Sequence, residues 1–183
     1  MTKSLYDIFA HWWRGGNVYF YSDPHFGDDE INSSRGITDD EQVININKEI
    51  GKNDTIVILG DIGDPTFLKK IRGYKIIVLG NHDKGSTVYK EYADEVYEGI
   101  LMISDKIMLS HEPVDFKYVF NIHGHDHANR FRSTYKHMNV CAELINYTPI
   151  ALTSIIKAGL LADIPNIHRT TIDKTIERKR KKK

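Results

Sequence analysis

Apolar residues along the chain recur at two spacings, one typical of amphipathic helices and one typical of buried strands. Leu5, Ile8, Phe9 and Trp12 follow the i, i+3, i+4, i+7 spacing of one helix face, so a short helix capped by Ser4 is predicted over residues 4–14. Continuous runs rich in β-branched residues predict strands at 18–22, 55–59 and 75–79. Start and stop signals predict helices between these strands, at 38–50 and 65–72.

The second half of the chain has a different pattern. Short apolar runs at 107–109, 118–122 and 138–144 follow one another without long helices, which predicts a second, mostly antiparallel sheet beside a largely parallel βαβ core. The predicted fold class is α/β, with two sheets of mixed parallel and antiparallel strands flanked by helices. One domain is expected over residues 1–168, with 1–16 as a helical extension packed on the body and 169–183 as a basic tail.

Composition excludes several classes of protein. Cys141 is the single cysteine, so an internal disulfide and cysteine-rich zinc motifs are excluded by count, and a metal would be held by nitrogen and oxygen ligands. No apolar run approaches the ~20 residues of a membrane span, and the first residues lack the order of a secretory signal. We therefore expect a cytoplasmic protein that does not bind membranes.

The formal net charge is zero, but the charges are unevenly distributed. Residues 169–183 carry eight Lys or Arg against Asp173 and Glu177, which leaves the rest of the chain acidic. Acidic bodies with clustered carboxylates often hold cations, and basic tails often contact polyanions. A solvated terminus is the favoured interpretation of this tail, and a nucleic-acid contact is the alternative.

Side chains that bind metals or transfer protons follow the predicted strands directly. They are Asp23, His25, Asp61, Asp64, Asn81, His82, Asp83, His111, His125 and His127. Because the carboxyl ends of parallel strands meet at one rim of a sheet, these groups are expected to converge. Asp23 with His25, and His125 with His127, are pairs two residues apart, so each pair is predicted to share one face of an extended segment. The glycines before Asp61, Asn81 and His125 would let the backbone approach a bound ion closely. These two pairs together with Asp61, Asn81 and His111 offer seven ligands, which is more than one metal ion usually takes from protein. Two ions that share a carboxylate are therefore favoured over a single ion.

The blocks S-D-P-H, G-D-I-G-D, G-N-H-D, S-H-E-P and G-H-D-H occur in this order and resemble the motifs of the calcineurin-like metallophosphoesterases. The resemblance runs from about residue 18 to 155, and the segment N-V-C-A-E-L-I-N-Y-T-P-I looks closest to small bacterial and phage members. It implies a two-sheet metallophosphoesterase sandwich with two divalent metal ions. Family habit makes Mn²⁺ the first expectation, while His, Asp and Asn ligands suit Fe²⁺, Zn²⁺ and Ni²⁺ about equally.

The resemblance also implies a role for each matching residue. The first metal would be bound by Asp23, His25 and His127. Asp61 would bridge to the second metal, which would also be bound by Asn81, His111 and His125. His82 would donate a proton to the leaving oxygen, and Asp64 would orient and support it. Asp64 is at the same time expected to cap the helix at 65–72, and Asp83 to be a structural hydrogen-bonding partner.

The predicted activity is hydrolysis of phosphodiesters or phosphomonoesters by a metal-activated hydroxide, with His82 as general acid. The partner would be a phosphate ester such as a nucleotide, and the short loop at 25–38 without a cap domain at 84–100 predicts an open site that accepts bulky diesters. One alternative is a catalytically idle metal-binding scaffold for protein assembly, although such relatives lack the proton-donating histidine. The other is a nuclease, which the basic tail would favour. Neither the physiological substrate nor the oligomeric state follows from the sequence.

Overall fold

Two β-sheets enclose a common apolar core in the computed structural model, which describes residues 6–128, 136–164, 174, 176–178, 180 and 181. The strands are β1 (Val18–Tyr21), β2 (Thr55–Leu59), β3 (Tyr74–Val78), β4 (Glu95–Tyr97), β5 (Leu101–Met102), β6 (Ile107–Leu109), β7 (Phe120–His123), β8 (His137–Asn139) and β9 (Ile150–Ala151). The α-helices are α1 (Asp29–Arg35), α2 (Asp39–Glu49) and α3 (Leu152–Lys157). The 3-10 helices cover Asp7–Trp13, Pro65–Lys70, Ser86–Val88 and Ala142–Ile145.

The first sheet has the strand order β4-β3-β2-β1-β9, in which β1 to β4 run parallel and β9 pairs antiparallel with β1. The second sheet has the order β5-β6-β7-β8. The predicted α/β class with two mixed sheets and flanking helices is therefore confirmed.

The prediction that the second sheet is mostly antiparallel is wrong. Only β5 and β6 are antiparallel there, whereas β6, β7 and β8 run parallel. Parallel neighbours require a crossover connection, which is usually a helix. Here the connections at 110–119 and 124–136 contain no helix among their described residues, so no helical pattern in the sequence revealed the crossovers.

The continuous apolar strands of the first sheet are buried on both faces. Alternate side chains of β2 point to opposite sides: Val57 and Leu59 lie in the core between the sheets, and Ile56 and Ile58 lie in a second core on the outer face. Helix α2 contributes to that outer core, and its predicted capping box is present between Thr38 and Glu41. Because both faces of these strands are buried, apolar residues occupy consecutive positions rather than alternate ones.

The N-terminal helix packs on the body, as predicted. Glu95 of β4 accepts hydrogen bonds from Trp12 Nε1 at 3.1 Å, from the Tyr74 hydroxyl at 2.9 Å and from the Tyr97 hydroxyl. The helix begins after Tyr6 without a side-chain cap. The predicted cap Ser4 and most of the basic tail at 169–183 lie outside the described residues.

Helix α1 was not predicted and replaces most of the expected loop at 25–38. Its sequence D-E-I-N-S-S-R has no apolar stripe, and Asn32 is its one buried residue. The Asp28 carboxylate caps it by accepting from Ile31 N at 3.0 Å. In the described part of the chain, no helix is long and apolar enough to span a membrane.

Candidate metal centre

The loops that follow the parallel strands run side by side at one rim of the molecule. After β1 and β2, Asp23 N donates to Gly60 O at 3.0 Å and His25 N donates to Asp61 O at 3.0 Å. In the second sheet, Gly124 N donates to His111 O at 2.9 Å. These bonds extend the strand pairing beyond the sheets, and they bring the segments that carry the predicted ligands together.

The backbone at this rim is left-handed at several residues other than glycine. The φ angles are 57° at Asp23, 50° at His25, 53° at Asp61 and 68° at His125. Such a conformation costs roughly 1–2 kcal/mol per residue for an ordinary side chain. The expectation that Asp23 and His25, or His125 and His127, share the face of an extended segment is therefore wrong. Tight turns, rather than strand alternation, direct these side chains to the rim.

One group of side chains surrounds His111. Its Nδ1 lies 2.8 Å from Leu59 O, which only accepts, so Nδ1 carries the proton and Nε2 presents a lone pair. That Nε2 atom lies 2.8 Å from Asn81 Oδ1, 3.1 Å from His125 Nδ1 and 3.5 Å from Asp61 Oδ2. The Asn81 and Asp61 oxygens only accept, so His125 Nδ1 is the one possible donor to Nε2 among these atoms, and a cation would bind the lone pairs that remain.

A second group surrounds Asp23, which is fully buried. Asp23 Oδ1 lies 3.4 Å from His127 Nε2, and His25 Nε2 lies 3.8 Å from Asp61 Oδ2. Among the described residues, neither Asp23 Oδ1 nor His25 Nε2 has a hydrogen-bond partner, although both atoms are buried. Leaving a buried polar atom unsatisfied costs about 1–3 kcal/mol. A cation bound between these atoms would remove that cost.

Asp61 belongs to both groups. Its carboxylate, His111 and His125 each place one ligand atom within 4.8 Å of the others, and the same holds for Asp61 with Asp23 and His25. Its side chain is 2 % exposed, so little water reaches it. The arrangement fits the binding of divalent cations, and the sharing of Asp61 between two of them stays a prediction.

Arg35 and Glu143 also reach this rim, and neither was predicted from the sequence as a site residue. Arg35 Nη1 donates to Asp23 O at 3.1 Å and to Pro24 O at 3.3 Å, and Nη2 lies 3.1 Å from Glu143 Oε2. Glu143 also contacts His127 Nδ1. The nearby carboxylates of Asp23 and Glu143 raise the pKa of His127 to about 10. Carboxylates placed behind histidines in this way orient metal-binding imidazoles. The segment N-V-C-A-E, which carries Glu143, was the available signal.

Asp83 is a structural hydrogen-bonding partner, as predicted. One oxygen accepts from Asp61 N at 2.9 Å and from Gly80 N at 2.8 Å. The other accepts from Ile62 N at 2.9 Å and from the Tyr89 hydroxyl at 2.8 Å. This carboxylate therefore ties together the loops that follow β2 and β3.

His82 and Asp64 do not form a hydrogen-bonded pair. His82 is exposed, and its ring centroid lies 6.1 Å from that of His25, at the open side of the rim. The Asp64 carboxylate accepts from Thr66 N at 2.9 Å and so caps the helix Pro65–Lys70. The capping role is confirmed. The proposed support of His82 by Asp64 stays a prediction, because no hydrogen bond joins them in the described residues.

Comparisons with known proteins show what this chain is similar to. A family model described as Calcineurin-like phosphoesterase matches residues 16–175. The protein MJ1445 of Methanocaldococcus jannaschii, described as uncharacterized, is 30% identical over 166 aligned residues that cover 76% of this chain and 89% of that protein. The crystal structure of AQ665 from Aquifex aeolicus, a protein of unknown function, aligns with a TM-score of 0.64 and 28% identity, covering 78% of this chain and 98% of that one. The nuclease MPE of Pseudomonas putida aligns with a TM-score of 0.47 and 20% identity over 60% of this chain and 61% of that one.

Proposed function

This chain belongs to the calcineurin-like phosphoesterase family, and from that premise we propose that it hydrolyses phosphodiesters or phosphomonoesters at the rim described above. The observation that carries the proposal is the convergence of imidazole nitrogens and carboxylate oxygens on the buried Asp61, with two buried atoms of this group, Asp23 Oδ1 and His25 Nε2, lacking a hydrogen-bond partner among the described residues. Hydrogen bonds alone would not stabilise such an arrangement, whereas divalent cations would.

We propose two metal positions that share the Asp61 carboxylate. The first would be held by Asp23, His25 and His127, and the second by Asn81, His111 and His125. Mn²⁺ is the first choice, and Fe²⁺, Zn²⁺ or Ni²⁺ would suit the same ligands. When bound, two divalent cations would neutralise the phosphate ester and lower the pKa of water at the site.

The protein residues would hold the cations and supply the proton. Leu59 O holds His111 and Glu143 holds His127 through Nδ1, so Nε2 is the ring atom that each would offer to an ion, and His127 would release its Nε2 proton on binding. His82 lies at the open side, where it would donate a proton to the leaving oxygen. Asp64 would orient and support His82 through its second carboxylate oxygen, Oδ2, because Oδ1 accepts the hydrogen bond from Thr66 N.

The substrate would be a phosphate ester that reaches an open rim. Asn81 and His82 are exposed, and the described residues at 84–100 add only the helix Ser86–Val88 and the strand β4. This openness supports a phosphodiester, such as a nucleotide derivative, as readily as a small monoester. A protein acting in the cytoplasm on such esters is the simplest form of the proposal.

The test is an assay of metal-stripped protein with added Mn²⁺ on a panel of aryl and alkyl phosphate mono- and diesters. Wild type should need metal, and Asp61→Asn should lose activity. His82→Ala should lower kcat about 10²–10⁴-fold on alkyl esters. It should matter less for esters of p-nitrophenol, a leaving group that needs little protonation. Asp40→Asn, which changes a surface pair with Lys70, is the control.

Two outcomes would contradict the proposal. Equal inactivity of wild type, Asp61→Asn and His82→Ala on every ester would favour the metal-binding scaffold. An equal effect of His82→Ala on alkyl and p-nitrophenyl esters would remove His82 as the general acid.

A further inference from the structure

The two oxygens of the Asp23 carboxylate have unlike surroundings. Oδ2 accepts a hydrogen bond from His125 N at 2.9 Å and one from the Cys141 thiol at 3.2 Å, and it contacts Ser22 Oγ. Oδ1 is buried and accepts no hydrogen bond in the described part of the chain. The donors are therefore all on one oxygen, and the other oxygen is left for a cation.

Cys141 is held in place by the contact between the two sheets. It forms a parallel bridge with Ser22 just beyond the end of β1, and Ala142 N donates to Ser22 O at 3.0 Å. Its own backbone N donates to Asn139 Oδ1 at 3.0 Å, and its side chain is fully buried. The thiol therefore faces Asp23 because of the fold rather than by a free choice of side-chain conformation.

The Cys141 thiol donates a hydrogen bond to Asp23 Oδ2 that the neighbouring Ser22 hydroxyl cannot fully provide. Ser22 Oγ contacts both Asp23 Oδ2 and Leu59 O, the latter at 2.5 Å, and a hydroxyl has a single proton for these two acceptors. Within the described residues, Cys141 Sγ has Asp23 Oδ2 as its one acceptor. Without the thiol, Oδ2 would depend on one backbone amide and a shared hydroxyl.

We propose that Cys141 is a positioning residue of the first metal position: its thiol occupies Asp23 Oδ2 as a donor, so that the carboxylate binds the cation through Oδ1 alone. This inference rests on the proposed function. It also assigns Cys141 a place outside the ligand set, although Sγ lies within 4.8 Å of ligand atoms of Asp23 and His127 and is close enough to be a third ligand.

Cobalt spectroscopy of the wild-type protein separates these two roles. Full-length, metal-stripped protein loaded with Co²⁺ should give d–d bands without a sulfur-to-cobalt charge-transfer band in the near ultraviolet, because the thiol stays a hydrogen-bond donor. A strong charge-transfer band that disappears in Cys141→Ser would identify a thiolate ligand and overturn the proposal.

Mn²⁺ titration calorimetry of two variants measures the positioning effect. Changes behind metal ligands typically weaken metal affinity 10–100-fold. Cys141→Ala should weaken one of the two Mn²⁺ equilibria about tenfold, at the lower end of that range because two donors to Asp23 Oδ2 remain. Cys141→Ser keeps a donor and should stay within about threefold of wild type. Val140→Ala, which opens a similar void at a neighbouring buried residue, should leave the affinity unchanged.

The outcomes distinguish this inference from the proposed function. Wild type that binds two Mn²⁺ with the same affinities as Cys141→Ala would overturn the role of Cys141 alone. Wild type that binds no Mn²⁺ would overturn both. If Cys141→Ala does not fold, the cobalt spectrum and the comparison with Cys141→Ser still decide.

Discussion

Replacing Asp83 by asparagine should destabilise the protein strongly, although the residue is expected to touch neither metal nor substrate. The carboxylate accepts four hydrogen bonds, three of them from the backbone of the loops after β2 and β3. An asparagine of nearly the same shape keeps one accepting oxygen and replaces the other with an NH₂ group, which only donates.

The size of the effect follows from which donors lose their acceptor. The least costly orientation places the NH₂ group toward the Tyr89 hydroxyl, which can turn and accept. Ile62 N then faces another donor, and an unsatisfied buried N–H costs about 1–3 kcal/mol. The bonds from Asp61 N and Gly80 N also weaken, because charge-assisted hydrogen bonds are roughly twice as strong as neutral ones. We therefore expect a loss of about 2–3 kcal/mol in the free energy of unfolding.

Urea unfolding with a chelator present, followed by the fluorescence of Trp12 and Trp13, measures this change without a contribution from bound metal. Asp40→Asn is the control, because its partner Lys70 is exposed and surface pairs contribute at most about 1 kcal/mol. If Asp83→Asn differs from wild type by less than about 0.5 kcal/mol, as ordinary surface substitutions do, the four bonds do not hold the loops as described.

Two further predictions concern the rim and the N-terminal helix. A Cβ at Gly80 would overlap Asp61 Oδ1, so Gly80→Ala should weaken Mn²⁺ binding about tenfold or more in calorimetry. Gly85→Ala is the control and should leave the affinity unchanged, because a Cβ there meets nothing within 4 Å. Equal affinities of the two variants would refute the steric argument. Burial acts to raise the pKa of Glu95, but the hydrogen bonds from Tyr97, Trp12 and other neighbours outweigh it and lower the pKa. A lowered folded-state pKa stabilises the fold above the usual glutamate pKa of about 4.3 and loses that effect as pH falls through the folded value. The stability difference between wild type and Glu95→Gln should therefore be full at pH 6 and shrink below about pH 4, and a pH-independent difference would contradict this.

The convergence of the site could be predicted from the sequence because it depends on a simple property of parallel sheets. Asp23, Asp61 and Asn81 each follow an apolar run, and parallel strands deliver their carboxyl ends to one rim whatever the details of packing. The five sequence blocks added the resemblance to a family, which the match over residues 16–175 confirmed.

The residues behind the ligands could not be predicted in the same way. Arg35 lies on a polar helix without an apolar stripe, and its guanidinium contacts the ring of His127, which is 92 residues away in the sequence. The contact of Cys141 with Asp23 spans 118 positions. Such contacts depend on how the two sheets pack together, and local patterns carry no information about that. The same limit explains the error about the second sheet, whose parallel strands are joined without helices in the described residues.

The backbone at the rim was mispredicted for a related reason. Asp23 and His25 were expected to extend a strand, but both are left-handed. Asp and His are enriched among left-handed residues, yet that conformation is still uncommon for them, so the residue types alone did not predict it. The surrounding structure enforces it through hydrogen bonds between the loops after β1 and β2. The convergence of these residues at the rim was thus predicted for a partly incorrect geometric reason.

The central claim is that Asp61 is shared by two cations. It is tested most directly by loading metal-stripped protein with Mn²⁺, removing the excess, and measuring both the metal content and the electron paramagnetic resonance spectrum. Two Mn²⁺ per chain with the spectrum of a spin-coupled pair, reduced to uncoupled or absent Mn²⁺ in Asp61→Asn, is the predicted result. Wild type that retains no Mn²⁺, or that retains ions without coupling and is unaffected by Asp61→Asn, would contradict it.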